Sequence, residues 1–273
     1  MNYNTFEPDK DLSSLIKSYW TLEVPKEFSS ERQRIIPDGC IEMAFILGDD
    51  IKRFTSETDF ILQPRAMVLG HTVEPFYIQP MGYVNTFAVR FYPYGFANFV
   101  IKPLNNLVNK ETPIAELFGE ATAFDLEQKI INAIDTQQRI NIIETFLLDK
   151  LREKVTIDRI VRSAVDVLLS SKGKSTISSI LREDLSKRRQ LERKFIKQIG
   201  ISPKQLGKII RLQTALKLLM SQKTETLTQI AYESDFYDQN HFIKDFKEFT
   251  GNTPKEFLTD QHLTLSALFY KKD

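Results

Sequence analysis

The sequence has few of the residues on which common catalytic and metal sites depend. Its 273 residues include one cysteine, Cys40, and three histidines, His71, His241 and His262. One thiol excludes an internal disulfide, and three scattered histidines beside it do not give the ligand spacing of a zinc site. A glycine-rich phosphate loop and a nucleophile elbow are also absent. We therefore expect no catalytic residue, no metal, no cofactor and no enzymatic activity.

Long hydrophobic runs are missing as well. The sequence contains no stretch of about 18 apolar residues, which is the length that a membrane-spanning helix requires. Its first residues, MNYNTFEPDKDL, are polar and acidic, unlike the basic and apolar regions of a secretory signal. Together with the single cysteine, this pattern predicts a reduced, cytoplasmic protein without a membrane partner.

Positive charge is balanced by acidic residues in most of the chain and is in large excess in one block. The net charge is +1, yet the stretch from Lys187 to Lys223 holds eleven lysines and arginines against one acid, Glu192. Residues 1–173 hold nineteen basic and twenty-four acidic residues. A solvated helix face is the usual explanation of a basic run. A block with such sharp boundaries instead indicates a polyanionic partner, most simply nucleic acid.

Residues 1–110 are predicted to form a β-rich domain. Short β-branched and aromatic runs alternate with turn signals that contain Gly, Pro and Asp. The runs are SYWTLEV, IEMAFIL, DFILQ, AMVLG, FYIQ and YVNTFAVRFY. This pattern predicts an antiparallel β sandwich or barrel. From residue 111 the apolar spacing becomes helical, which predicts a helical extension over 111–172 and an α+β protein overall.

Residues 173–260 are predicted to form an all-α domain, followed by a tail over 261–273. The break SKGKS at 171–175 is the linker candidate. Beyond it, helix stop and start signals mark two short helix–turn–helix units joined by one long helix. These signals are Gly200, Ser202-Pro203, Thr226, Asp238, Gly251 and Thr253-Pro254.

The second helix of each unit has an apolar stripe and a polar face. The stripes comprise Leu191, Phe195 and Ile199 in the first unit and Phe242, Phe246 and Phe249 in the second. The opposite faces comprise Arg189, Glu192 and Arg193, and Gln239, Asn240 and Lys244. Arginine, asparagine and glutamine match the hydrogen-bonding pattern of base edges in a major groove. Both polar faces are therefore predicted to contact DNA.

Two stretches of this domain resemble a known family. RRQLERKFIKQIGISPKQLGKIIRLQTALKLL and LTQIAYESDFYDQNHFIKDFKEFTGNTPKEFL resemble the DNA-binding domain of AraC/XylS transcription regulators, over about residues 174–260. Lys187 stands where the family usually has a capping serine, so the expected cap of the first recognition helix is Ser186 or Lys187. With the resemblance, the predicted DNA-binding residues are Arg188, Arg189, Glu192, Arg193, Gln239, Asn240, His241 and Lys244.

The front half also resembles a domain found in such regulators. RIIPDGCIEMAFILGD and VRFYPYGFANF look like an uncharacterised N-terminal domain related to cupin-like sensor arms. The resemblance implies a sensor or dimerisation role. The candidate effector-binding residues are the polar residues Arg34, Glu42, His71, Arg90 and Tyr92, although His71 is favoured as a strand end. The implied partners are duplex DNA, a small-molecule effector, a second copy of the chain and, for an activator, RNA polymerase.

Two alternatives to an effector-modulated regulator stay open from the sequence. The first is a DNA-binding protein whose N-terminal domain is inert or only oligomerises. The second is a cupin-type metalloenzyme fused to a DNA-binding module. This second reading needs about three converging His or carboxylate ligands, and His71 is the only histidine of the β region.

Overall fold

The computed structural model of this chain describes most of its residues. They are residues 1–28, 31–152, 157–175, 177–180, 188–221 and 226–260. The predicted cap at Ser186 or Lys187 and the tail over 261–273 lie outside the described residues.

The front half forms two antiparallel sheets. The strands are β1 (Asn2–Phe6), β2 (Ile16–Val24), β3 (Gln33–Ile35), β4 (Ile41–Ile46), β5 (Ile51–Phe54), β6 (Phe60–Leu62), β7 (Ala66–Leu69), β8 (Phe76–Pro80), β9 (Val84–Phe91) and β10 (Glu111–Pro113). One sheet has the order β1-β2-β9-β4-β7-β10 and the other β3-β8-β5-β6. The predicted antiparallel sandwich is confirmed, and every one of the six predicted runs contains a strand.

Side-chain alternation along the strands produces two apolar layers. On β2, Tyr19 packs on the helical side of the larger sheet, whereas Trp20 faces the smaller sheet. Residues two apart on a strand share a face, so the inner layer continues through Ala44 of β4 and Ala88 of β9. The space between the sheets is therefore filled by side chains over most of its length.

Helices follow the sheets. They are α1 (Ile114–Phe118), α2 (Glu120–Asn132), α3 (Thr136–Arg152), α4 (Arg159–Ser170), α5 (Ile177–Ile180), α6 (Arg188–Ile199), α7 (Pro203–Met220), α8 (Leu227–Glu233), α9 (Gln239–Thr250) and α10 (Pro254–Thr259). The predicted pair of helix–turn–helix units, α5–α6 and α8–α9, joined by the long helix α7, is confirmed.

Helix α4 packs with the helices that follow it. It contacts both α6 and α7, although the sequence places it in the helical extension over 111–172. The predicted linker over 171–175 is also attached to α7, because Arg211 of α7 donates a 2.8 Å hydrogen bond to the Gly173 carbonyl. One apolar cluster runs from the outer face of the larger sheet to α9. The two halves are therefore packed against each other.

Candidate DNA-binding surface and interdomain cavity

Helix α6 is held by its apolar stripe and exposes its cations. Leu191, Phe195 and Ile199 are at most 1% exposed and pack on the core, as the three-to-four residue spacing predicts. Arg189 and Arg193 lie on the exposed side. The guanidinium groups of both arginines can therefore contact a partner without any change in the core.

The junction between α6 and α7 is fixed by backbone chemistry. Gly200 ends α6 with a positive φ of 101°, a conformation that glycine adopts without strain. Ser202 then caps α7, since its hydroxyl accepts from the Gln205 backbone and Gln205 accepts in return. Pro203 occupies the first turn, where its missing N–H costs nothing. The direction in which α7 leaves α6 is thereby set.

Helix α9 resembles α6: it ends at a glycine, buries an apolar stripe and exposes a polar face. The Asp238 carboxylate accepts a 2.7 Å hydrogen bond from the His241 backbone, and Gly251 ends the helix in the left-handed region. Its apolar stripe (Phe242, Phe246 and Phe249) is at most 2% exposed. Asn240, His241 and Lys244 are exposed, whereas Gln239 is half-buried and accepts a 2.7 Å hydrogen bond from the Thr228 hydroxyl.

Several cations of the basic block have internal partners. Lys208 of α7 lies 3.1 Å from Asp245 and 3.3 Å from Glu248, both on α9. Lys194 of α6 lies 2.5 Å from Asp158, and its hydrogen bond to that carboxyl lowers the pKa of Asp158. These pairs tie the recognition helices to their neighbours. The count of eleven cations therefore overstates the charge available to phosphates.

Two predicted site residues on α6 pair with each other. Arg188 and Glu192 form a 3.1 Å ion pair one helical turn apart, and both side chains are more than a third exposed. Pairs of this type contribute only about 0.3–0.5 kcal/mol to stability, so either side chain can leave the pair and contact another partner. On α9, the His241 ring packs against Phe236 and lies 3.9 Å from Asp245.

In the front half, the structure brings Glu42 and Arg90 together. They are directly opposite on β4 and β9, and Arg90 Nε donates a 2.7 Å hydrogen bond to Glu42 Oε1. Trp20 donates to the same oxygen at 3.1 Å, and Asp38 lies 3.5 Å from Arg90. Burial, together with the nearby Asp38 carboxylate, raises the pKa of Glu42, while Arg90 opposes that shift.

The other candidate effector residues lie elsewhere. Arg34 joins the two halves: its Nη1 lies 2.9 Å from Asp260 and donates to the Thr250 carbonyl at 3.1 Å. His71 is buried, and burial lowers its pKa to about 4, so it is neutral at neutral pH. Tyr92 stacks on Tyr94. The five candidates therefore do not form a single site.

A cavity of about 150 Å³ lies where the open end of the sandwich meets α7. Its polar lining comes from both halves: Lys17, Asp38, Glu42, Thr72, Arg90, Gln213 and Lys217. Gln213 of α7 donates a 2.7 Å hydrogen bond to the Pro37 carbonyl at the cavity edge. A neighbouring cavity of about 480 Å³ includes Tyr92 and shares part of the lining, namely Lys17, Asp38, Cys40, Gln213 and Lys217.

Two further features concern other classes of site. Across the described ranges, no group of three or more His, Cys, Asp or Glu residues could hold a metal ion. Among the described helices, none combines the length and apolar character needed to span a bilayer.

Comparison with known proteins assigns the C-terminal part of the helical half. Residues 186–260 match the family model of a helix-turn-helix domain. This segment is an AraC-type helix-turn-helix domain. Residues 4–113, ahead of the AraC-type domain, match the model of a domain of unknown function (DUF6597). No curated protein matches the chain.

Three solved structures match between 89% and 98% of this chain. ToxT from Vibrio cholerae is 14% identical over 97% of this chain and 100% of its own, with a TM-score of 0.47. ToxT from V. cholerae strain SCE256, bound to an unsaturated fatty acid, is 15% identical over 89% of this chain and 94% of its own, with a TM-score of 0.47. The AraC-like transcriptional activator CuxR is 9% identical over 98% of this chain and 90% of its own, with a TM-score of 0.25.

Sequence reasoning missed several residues that act around the AraC-type domain. Thr228 positions Gln239, and Lys208 connects α7 to α9, but neither carries a sequence signal for these partners. Asp38, Gln213 and Lys217 line the cavity. Asp38 stands in the turn signal Pro37-Asp38-Gly39, which is the one signal that could have indicated it.

Proposed function

We propose that this chain is a transcription regulator whose AraC-type domain reads two successive major-groove segments of duplex DNA. The observation that carries the proposal is a pair of helices, α6 and α9, each buried on one side and polar on the other. Helix α7 joins them, and the Lys208 pairs with Asp245 and Glu248 stiffen the connection to α9. DNA binding follows from the type of domain. What we propose is that α6 and α9 enter two successive segments of the major groove.

The length of α7 suits this arrangement. Its 18 residues span roughly 27 Å at about 1.5 Å per residue. Major-groove segments on one side of DNA repeat about every 34 Å, and each recognition helix extends the reach of α7. We infer that Arg189 and Arg193 occupy one groove, while Gln239, Asn240 and Lys244 occupy the next.

The spacing of the two DNA half-elements tests the proposal. A site is first selected from random duplex DNA with the full chain, and about five base pairs are then inserted between its halves. The insertion places the halves on opposite faces of the duplex, so one chain engages only one of them. We expect affinity to fall by about 10²-fold or more, as when one of two linked contacts is lost.

An insertion of about ten base pairs is a matched control for added length. This insertion returns the two half-elements to the same face of the duplex but leaves them farther apart than in the parent site. If α7 connects the two recognition helices rigidly, we expect weak binding to this DNA as well. If electrophoretic mobility shifts give equal affinity for the parent site and the five-pair insertion, the two-groove proposal is wrong.

Arg193 and Lys194 offer a matched pair of adjacent substitutions. Arg193→Ala removes an exposed arginine fork and is expected to weaken specific DNA binding by about 1–3 kcal/mol. Lys194→Ala removes a cation held by Asp158 and is expected to change affinity less than twofold. Fluorescence anisotropy with the selected site measures both. A larger loss for Lys194→Ala than for Arg193→Ala would contradict the assigned face.

We further propose that a small-molecule effector binds the interdomain cavity. Its lining includes Glu42 and Arg90 from the front half and Gln213 and Lys217 from α7. A ligand there contacts both halves and can bias the position of α7 through its differential affinity. If no small molecule changes the affinity for DNA, the alternative hypothesis is favoured, in which the N-terminal domain is inert or only oligomerises. Cytoplasmic location, homodimerisation and contact with RNA polymerase stay predictions from the sequence.

A further inference from the structure

Strand β6 is an apolar edge of the smaller sheet. Among the described strands it pairs only with β5, so no described strand lies along its other edge. The side chains of Phe60, Ile61 and Leu62 are 45%, 53% and 50% exposed. The other edge strands, β1, β3 and β10, each bury at least one side chain. Because an exposed apolar edge is a template for pairing with another strand, β6 is the candidate interaction surface of the front half.

The hydrogen bonds of the β5–β6 hairpin determine which backbone groups point toward the open edge. The Gln63 N–H donates to the Ile51 carbonyl at 2.9 Å, so these two residues form a hydrogen-bonded pair. Such pairs alternate with non-hydrogen-bonded pairs along an antiparallel ladder. Ile61, two residues before Gln63, therefore also directs its N–H and C=O toward β5. The N–H and C=O groups of Phe60 and Leu62 point the other way, toward the open edge.

An identical strand complements this edge. When two copies of β6 run antiparallel about a two-fold axis at Ile61, Phe60 of each copy lies opposite Leu62 of the other. Both residues direct their backbone groups outward, so each of these pairs can exchange both of its hydrogen bonds. Ile61 then faces Ile61 of the other copy in a non-hydrogen-bonded pair, the arrangement in which side chains approach most closely. The edge is therefore self-complementary in a single register.

The side chains of the hairpin match in the same register. Phe54 pairs with Phe60 and Lys52 pairs with Leu62, so these four side chains share one face of the hairpin. On that face the Lys52 ammonium lies 4.2 Å from the centroid of the Phe60 ring. Pairing of two copies places Phe60 beside Leu62 of the other copy. The apolar row then continues across both hairpins.

The residues that flank β6 favour antiparallel pairing of limited length. Asp59 precedes the strand and Arg65 follows it, after Gln63-Pro64. Antiparallel pairing places the acidic end of one copy beside the basic end of the other, whereas parallel pairing places like charges together. Pro64 has no N–H to donate to a ladder, so the pairing ends there.

We propose that two copies of this chain associate through β6, as an antiparallel pair centred on Ile61. A two-fold contact of this kind is closed, because each copy uses the same edge. The contact is short and buries less than the roughly 1,200 Å² of a standard interface, so we expect a weak dimer with a micromolar dissociation constant. Two AraC-type domains linked in this way raise each other's effective concentration at neighbouring DNA sites.

Sedimentation velocity of the full chain without DNA tests the proposal. Over the micromolar range of concentration we expect a reversible monomer–dimer equilibrium. Ile61→Lys places two ammonium groups across the axis and should raise the dimer dissociation constant about tenfold or more. Phe124→Lys is the matched control, because it introduces the same charge at another exposed apolar position, on α2. It should leave the dissociation constant unchanged.

Two double variants test the register. Phe60→Lys with Leu62→Glu places the new lysine of one copy opposite the new glutamate of the other, so this variant should still dimerise. Phe60→Lys with Leu62→Lys places like charges at the same positions and should be monomeric. Both variants change the same exposed side chains, and circular dichroism confirms that each is folded.

A cysteine at the axis detects the contact even when the dimer is a minor species. The Cβ atoms of a non-hydrogen-bonded antiparallel pair lie about 4.5–5.5 Å apart, near the Cβ separation of a disulfide. In a Cys40→Ser background, Ile61→Cys should therefore give a covalent dimer on mild oxidation, visible on a non-reducing gel. Met81→Cys, at an equally exposed position outside β6, should stay monomeric in the same background.

Three results overturn the proposal. The first is a monomer at every concentration together with no covalent dimer from Ile61→Cys. The second is a dimer that persists with Ile61→Lys and dissociates with Phe124→Lys, which would place the interface on α2. The third is equal dimerisation of the two double variants. These measurements use no DNA, so their failure leaves the two-groove proposal unaffected.

Discussion

Phe246→Ala is expected to lower the free energy of unfolding by about 3–5 kcal/mol, the usual cost of removing a fully buried phenyl group. The Phe246 ring is 0% exposed and makes edge-to-face contacts with Phe242 at 5.5 Å and with Phe257 at 5.3 Å. These contacts join α9 to α10, so the variant should also lose specific DNA binding. Urea unfolding followed by circular dichroism measures the change.

Lys244→Ala provides the stability control on the same helix. Its side chain is exposed, and surface substitutions usually change stability by less than about 0.5 kcal/mol. If Phe246→Ala unfolds at the same urea concentration as the parent protein, then α9 is not held by its apolar stripe. The assignment of its polar face to DNA would fail with it.

Arg34→Met is expected to cost about 3–5 kcal/mol, because it leaves the buried carboxylate of Asp260 without its cation. Both side chains are less than a tenth exposed, and Asn252 donates to the same Asp260 oxygen at 2.8 Å. Arg34 lies on β3, and its partners in the helical half are Thr250, the last residue of α9, and Asp260, which follows α10. Hydrogen exchange should therefore accelerate in residues 250–260, in addition to the change in unfolding free energy.

A double substitution separates the ion pair from simple packing. Replacing both members of a buried pair by apolar residues is often neutral, so Arg34→Met with Asp260→Leu should recover at least half of the loss. Lys129→Met breaks an exposed 2.7 Å pair with Asp125 and should cost less than about 0.5 kcal/mol. A loss of similar size from Lys129→Met would show that burial is not the cause.

Local sequence signals made it possible to predict where the helices of the C-terminal domain begin and which sides they bury. Ser202, Thr226, Asp238 and Thr253 were predicted as caps, and each accepts a backbone N–H at the start of its helix. Such signals act over three or four residues, so they need no knowledge of distant contacts. The apolar stripes were predictable for the same reason, since helical periodicity determines which side can be buried.

Several short strands were harder to predict. β3, β5 and β10 have three or four residues each and were not predicted from their own patterns; β3 and β10 lie at sheet edges, whereas β5 pairs with both β8 and β6. Strands of this length carry too few alternations to be distinguished from loops. Their pairing with β8 and β7 depends on residues far away in the sequence.

The sequence by itself determined the helical plan, the basic block and the polar faces of α6 and α9, because these depend on residues within one or two turns of a helix. Tertiary structure alone decided which charges are available. Lys208 pairs with Asp245, Lys194 pairs with Asp158, and Arg34 pairs with Asp260. These ion pairs join residues at least thirty-six positions apart. The net charge of a segment does not encode such partners, since Coulomb interactions depend on distance in space.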